Sequence, residues 1–331
     1  MQLDARTKSN LNYLKAFAAF LVVLGHGLSY YAESTELSTG AGLLENMIYL
    51  VHVPLFFVIA GFLCHAQPVG AFYKKKVLRL LVPFWFFAFL KLVYSNLISG
   101  KFAHASTLAG QLYDAFVIGQ VYWFAYAMML MFLLAPLFWE KNADAAPKKA
   151  MIALAVTVLY NILSSALHFP SLPRVFQMKN TLQYLPYFLS GLVLRFYYPK
   201  LRELFRRRRA LILCAALLVT AASACAYLFD WAVDPYARKL VSSYALMILL
   251  LALADILPEN RRLPTLAAGF SYQSMLLDPF FKVVLFAVCG KLLGVTLPAV
   301  FLIAALDYAA GIVTCTIARK IPLLNRLTGL K

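Results

Sequence analysis

The chain is 331 residues long, 63% of them apolar and only 14% charged, with a mean hydropathy of +0.75. That balance excludes a water-soluble globular domain, whose apolar and polar contents are close to equal. The net charge of +17 raises the question of nucleic acid, but the basic residues are spread between apolar runs and no nucleic-acid partner is expected.

The apolar residues fall in runs of about 20, the length at which a helix rising 1.5 Å per residue crosses roughly 30 Å of hydrocarbon. Alternating ten-residue strands of the barrel type are absent. The sequence therefore predicts an all-α polytopic membrane bundle of about ten transmembrane helices, built as one domain over 1–331. The predicted spans are Leu11–Tyr31, Asn46–His65, Leu78–Ser99, Val121–Trp139, Lys149–His168, Thr181–Tyr198, Arg209–Phe229, Tyr236–Leu257, Leu263–Cys289 and Val295–Ile317. The first is read as a retained span and not a secretory signal: it is too long, contains Lys15 and lacks a small-residue cleavage pattern. Residues Gly100 to Gln120 are too polar to cross and are expected to form an outer loop. No internal repeat is visible.

With the amino terminus cytoplasmic, the segments on that side hold 22 Lys and Arg residues, among them Lys74–Lys76 and Arg206–Arg209, against six on the other side. This asymmetry predicts both termini on the cytoplasmic side and an even number of spans. The Arg206–Arg209 cluster reads as a topology anchor in contact with anionic lipid. The five cysteines sit inside apolar runs without CxxC spacing, so they read as small hydrophobes, and no metal site is expected.

Ionisable residues inside spans are costly unless they pair or line a wet cavity. Lys15 and His26 lie eleven residues apart, which returns them to one helix face about 16.5 Å apart along the axis. An imidazole there can accept a proton, and a lysine near the inner face can hold a phosphate; helix packing for His26 and snorkelling for Lys15 are the structural alternatives. His52, just before Pro54, is also buried by position, with packing and function both open. Lys91 and Lys282 can snorkel or pair, and Asp278 has no partner that sequence can name. The stretch Tyr122–Tyr126 reads as an interfacial aromatic belt.

Several of these segments, taken in order, resemble the acyltransferase-3 family of integral membrane O-acyltransferases. Asn12–Lys15 through Val22–His26 is similar to the family's first-span arginine and histidine, His52–Phe62 to its second-span signature, and Lys74–Trp85 to the basic entry of its third span. Tyr122-Trp123-Phe124 resembles the tryptophan motif of the fourth span, and Leu185–Gly191 a later Pro-Tyr-Phe segment. Two positions depart from the pattern. Lys15 stands for the arginine, as in the branch resembling fucose O-acetylases, and Asp278-Pro279 stands where many relatives carry a histidine-proline pair.

The resemblance implies transfer of an acyl group, most often acetyl, from acyl-coenzyme A to a sugar hydroxyl of a surface glycan or lipid-linked precursor in the bacterial inner membrane. On that reading His26 is the catalytic base, with an acyl-histidine route also open. Lys15, Lys76 and Arg79 hold the donor's phosphates, and Trp123, Tyr126 and His52 line the acceptor site. Membrane lipids and a glycan-biosynthesis or export assembly are the implied partners. A secondary transporter or lipid-linked glycan flippase would also bury His, Lys and Asp, but such folds usually show inverted repeats. A non-catalytic scaffold would tolerate loss of His26.

Overall fold

The computed structural model describes residues 3–32, 38–99, 105, 107–140, 145–170, 172–231, 234–259, 261–294 and 296–330. These are helical almost throughout, in the order α1 (Ala5–Ala32), α2 (Thr39–Leu63), α3 (Val69–Lys76), α4 (Val82–Ser99), α5 (Leu108–Leu112), α6 (Trp123–Leu134) and α7 (Lys148–Ala166). They continue with α8 (Met178–Arg207), α9 (Arg209–Leu228), α10 (Pro235–Ile256), α11 (Arg262–Leu293), α12 (Leu297–Ala318) and the short α13 (Pro322–Leu327).

Among the described residues, seven helical segments are long and apolar enough to cross a membrane: α1, α2, Val69–Ile98, α7, α9, α10 and α12. An eighth is obtained if Leu108–Ile118 and Trp123–Phe138, bent by 43° to each other, count as one span. The expected sixth and ninth spans correspond to α8 and α11, which are long, 30 and 32 residues, and stand outside that group of seven. Their polar residues face inward. In α11, Ser271, Gln273, Ser274 and Asp278 are buried, while Leu97, Leu218 and Leu292 on the outside of the bundle are highly exposed, the arrangement that lipid as solvent favours.

Two differences from the expected boundaries have a local cause. The third span starts earlier, because α3 runs into α4 through a wider helical turn over Val77–Leu81. Part of the expected outer loop is helical: α5 continues in a wide turn over Tyr113–Ile118 and stops at Gly119, whose φ of +68° ends the helix. A Cβ there would also stand 2.3 Å from the Tyr126 ring. His104, in the same region, lies outside the described residues.

The segments carrying the family resemblance pack on one another. α2 and α8 cross at Gly61 and Gly191, where an added Cβ would come within 1.9 Å of the Phe188 carbonyl oxygen or 2.2 Å of that of Val58. Only glycine permits that backbone approach. Pro54 in α2 cannot bond the carbonyl of Leu50, one turn earlier; the Ser243 hydroxyl of α10 donates to it instead. Pro186 in α8 likewise frees the carbonyl of Leu182, which accepts from Asn161 of α7 at 3.1 Å. Both orphaned carbonyls thus gain partners that water cannot supply inside a bilayer.

α1 runs through the middle, packed against α2, α10, α11 and α12. At its start Arg6 reaches Asp255 and the Leu257 carbonyl at the end of α10, Asp4 pairs with Arg202 near the end of α8, and Asn12 meets Thr265 near the start of α11. At the far end of the sequence Gly329 packs on Arg79 and Pro83. One end of the bundle therefore gathers the arginine-rich turns together with Asp4 and Gly329, near the two limits of the described residues. Around the other half of α1, Val23, Leu24 and Leu28 form a core with Ile48, Phe286, Val300 and Ile303.

Candidate active site

His26 lies in that second half of α1. Gly25, one residue before it, packs against Ile48, which a Cβ would meet at 3.1 Å, so α1 and α2 lie close here. The imidazole Nδ1 is 2.8 Å from Asp278 Oδ2 of α11. Asp278, left without a partner by sequence reasoning, is completely buried, whereas the His26 side chain is 38% exposed. A carboxylate at Nδ1 accepts a hydrogen bond from that nitrogen. It thereby selects the tautomer in which Nε2 carries the lone pair. The arrangement leaves a basic nitrogen facing accessible space with an anion behind it to steady the protonated ring.

Other polar groups surround the pair. Lys282, one turn along α11, places Nζ 3.9 Å from the same Asp278 oxygen. Asp307 of α12 interacts with Asp278 and is itself buried. One oxygen each of Asp278 and Asp307 has no other donor among the described residues, so the two buried carboxyls are left to share a hydrogen bond with each other. Lys91 of α4 is within electrostatic range of both Asp278 and Lys282. Tyr122 of the tryptophan motif donates to the Leu276 carbonyl at 2.8 Å, which ties α11 down two residues before Asp278. One turn after His26, Ser29 bonds Glu45 and Tyr49.

The sequence-predicted residues fall into three places. His52 is buried on the α2 side; its Nδ1 bonds the Ile48 carbonyl at 2.6 Å and its ring meets Tyr49 edge-on at 4.9 Å. Trp123, at the start of α6, packs on Tyr184 with ring centroids 5.4 Å apart, and the Tyr184 hydroxyl accepts from Lys239 at 2.6 Å. Tyr184 and Asp278 both influence Tyr49, so the aromatic group adjoins the histidines. Tyr126 is turned aside: its hydroxyl donates to the Phe116 carbonyl and its ring packs on Phe84, roles that brace the bend after Gly119.

The third place is basic. Lys75, Arg79 and Lys15 all lie close enough to Lys76 for their charges to act on it. Lys76 sits over the Phe132 ring at 3.4 Å and near Phe72 at 5.3 Å, so its ammonium is held by π faces. Among the described residues no carboxylate pairs with Lys15, Lys76 or Arg79. A cluster of cations without counter-ions suits an anionic ligand. Lys15 and His26 share one unbroken helix, which links the cluster to the dyad across about 16.5 Å. Among the described residues no group of three His, Cys, Asp or Glu side chains could hold a metal ion.

Comparison with known proteins gives the family. The acyltransferase-3 family, described as an acyltransferase domain, matches residues 8–305, a stretch that contains the dyad's His26 and Asp278 and the basic cluster. The chain belongs to the acyltransferase-3 family. Among curated proteins it is similar to nodulation protein NolL of Sinorhizobium fredii (strain NBRC 101917 / NGR234), with 24% identity over 231 residues. That alignment covers 68% of this chain and 58% of the relative. No solved structure matches. At the place where the resembled pattern has a histidine before a proline, this chain keeps the proline and carries Asp278, whose carboxylate lies 2.8 Å from His26 Nδ1.

Proposed function

We propose that the protein is a membrane O-acyltransferase that moves an acyl group, most simply acetyl, from acyl-coenzyme A to a sugar hydroxyl of a surface glycan or lipid-linked precursor. The observation that carries this reading is the His26–Asp278 pair in a chain of the acyltransferase family. The family match and the likeness to a nodulation protein support it. The protein works in the bacterial inner membrane, crosses it about ten times and keeps both termini in the cytoplasm, as the basic end of the bundle favours.

The donor is a substrate that enters from the basic end, with its phosphates on Lys15, Lys76 and Arg79 and its thioester reaching along α1 toward His26. There His26 Nε2 takes the proton of the acceptor hydroxyl while the oxygen attacks the thioester carbonyl. The C–S bond breaks and the departing thiolate takes that proton from the imidazolium, so charge and atoms balance. Asp278 holds Nδ1–H throughout and opposes the charge that develops on the ring. Trp123 and Tyr184 offer aromatic faces to the sugar, with Tyr126 bracing the segment that carries Trp123 and His52 packed behind the base.

The test is acyl-coenzyme A consumption and glycan O-acylation by membranes carrying wild type or His26→Ala at matched expression. Wild type acylates and the variant falls by at least about 10²-fold, the usual contribution of a general base. Equal activity of the two would overturn the mechanism, and a wild-type protein inert toward every acyl-coenzyme A donor would return the transporter reading.

A further inference from the structure

A sizeable cavity of the described structure lies away from the dyad. It occupies 790 Å³ between α1, α2, α8, α9 and α10, and neither His26 nor Asp278 lines it. Its volume is within the roughly 300–1,000 Å³ of sites that enclose a small ligand. The walls are apolar, with Leu14, Ile59 and Leu251 among them, and three arginines, Arg202, Arg206 and Arg209, stand at the end where α8 turns into α9. Along α8 the lining runs from Ser190 to Arg206, about 24 Å at helical rise. That is close to the depth of one leaflet, half of the roughly 40–45 Å bilayer including headgroups.

The arginines differ in what they are free to do. Arg202 is hydrogen-bonded to Asp4. Arg206 is only 3.8 Å from Glu203 and Arg209 only 4.0 Å from Asp255, distances too long for hydrogen bonds. Among the described residues neither of these guanidinium groups donates a hydrogen bond. Planar guanidinium groups held only by these long ion pairs, at the mouth of an apolar groove one leaflet deep, match a phosphate carried on acyl chains.

We propose that this groove is a binding site for an anionic glycerophospholipid, its phosphodiester on Arg206 and Arg209 and an acyl chain along α8 between α1 and α10. The site is separate from the acyl-transfer centre and places a lipid at the hinge between α8 and α9. It seals the gap that packing leaves around the first half of α1.

Native mass spectrometry of the purified full chain, incubated with equal amounts of phosphatidylglycerol and phosphatidylcholine of the same acyl chains, tests the assignment. The wild type retains phosphatidylglycerol at least about fivefold over phosphatidylcholine. The double variant Arg206→Gln/Arg209→Gln loses that preference, while Arg208→Gln, a residue outside the lining, keeps it. Leu251→Trp, which fills the groove, lowers retention of both lipids. A wild type without preference overturns the proposal whatever the variants do, as does a preference that Arg208→Gln erases equally. Displacement of phosphatidylglycerol by an equimolar polyprenyl phosphate would also overturn it, assigning the groove to a lipid carrier.

Discussion

Replacing Asp278 by asparagine preserves the side chain's size while removing its charge, and so isolates what the carboxylate does for His26. The oxygen lies 2.8 Å from Nδ1, which places the centres of the two charges about 4 Å apart once the ring is protonated. At an effective dielectric of about 20 that attraction is worth about 4 kcal/mol. Lys282, 3.9 Å from the same oxygen, opposes part of it, leaving about 3 kcal/mol, or about 10²-fold in rate. A second effect adds to the first. The asparagine amide can donate to Nδ1, which would move the ring proton to Nε2 and remove the basic lone pair. The expected fall in kcat is therefore about 10³-fold or more. The KM for acyl-coenzyme A should stay within about twofold, because Lys15, Lys76 and Arg79 sit at the far end of the path. The assay is release of free coenzyme A thiol by purified protein in the presence of acceptor, alongside thermal unfolding to show that the variant is folded. Because the substitution leaves Lys282 without its carboxylate, some loss of stability is expected. A folded Asp278→Asn protein with kcat within threefold of wild type would refute the orienting role.

Neutralising the basic cluster should give the complementary signature: Lys76→Gln or Arg79→Gln raises the KM for acyl-coenzyme A about fivefold with kcat little changed, and the effect shrinks in high salt, as titration of initial rates would reveal. Gly61→Ala or Gly191→Ala forces a methyl group onto backbone at about 2 Å and should cost at least about 1–3 kcal/mol, read as a lowered unfolding midpoint in detergent; an unchanged midpoint would mean that the α2–α8 crossing is looser than described. Asp4 caps α1 through Thr7, whose side chain and backbone N–H, followed by Arg202, hold its carboxyl down to about 2 from the usual 3.8. Because the folded value is depressed, this contribution is present above about pH 4 and is lost as pH falls toward 2. Asp4→Asn should flatten that limb of an acid-unfolding curve, and an unaltered limb would count against the cap.

The sequence alone determined most of what the solvent dictates. Apolar runs of about 20 residues located the helices, since without alternating barrel strands a helix is the remaining way to satisfy the backbone in a bilayer. The helices α8 and α11 are legible in the sequence although they stand outside the seven membrane-capable segments. His26 stood out because a histidine inside an apolar run needs a reason. Gly61, Pro54 and Pro186 were visible as members of motifs, but their purposes were not: a backbone crossing and the donors Ser243 and Asn161 lie on other helices. Asp278 shows the limit most clearly. It looked unpartnered because its partner is 252 residues away, and helical periodicity relates residues only along one helix. The same holds for the basic cluster, where Lys15 from α1 joins Lys76 and Arg79. It holds too for Tyr126, which looks like a surface aromatic in sequence and braces a bend in space. Burial energy selects which segments become helices, and the sequence carries that selection openly. Which faces then meet is decided by packing between helices, and only there do a histidine and a distant aspartate become a single chemical group.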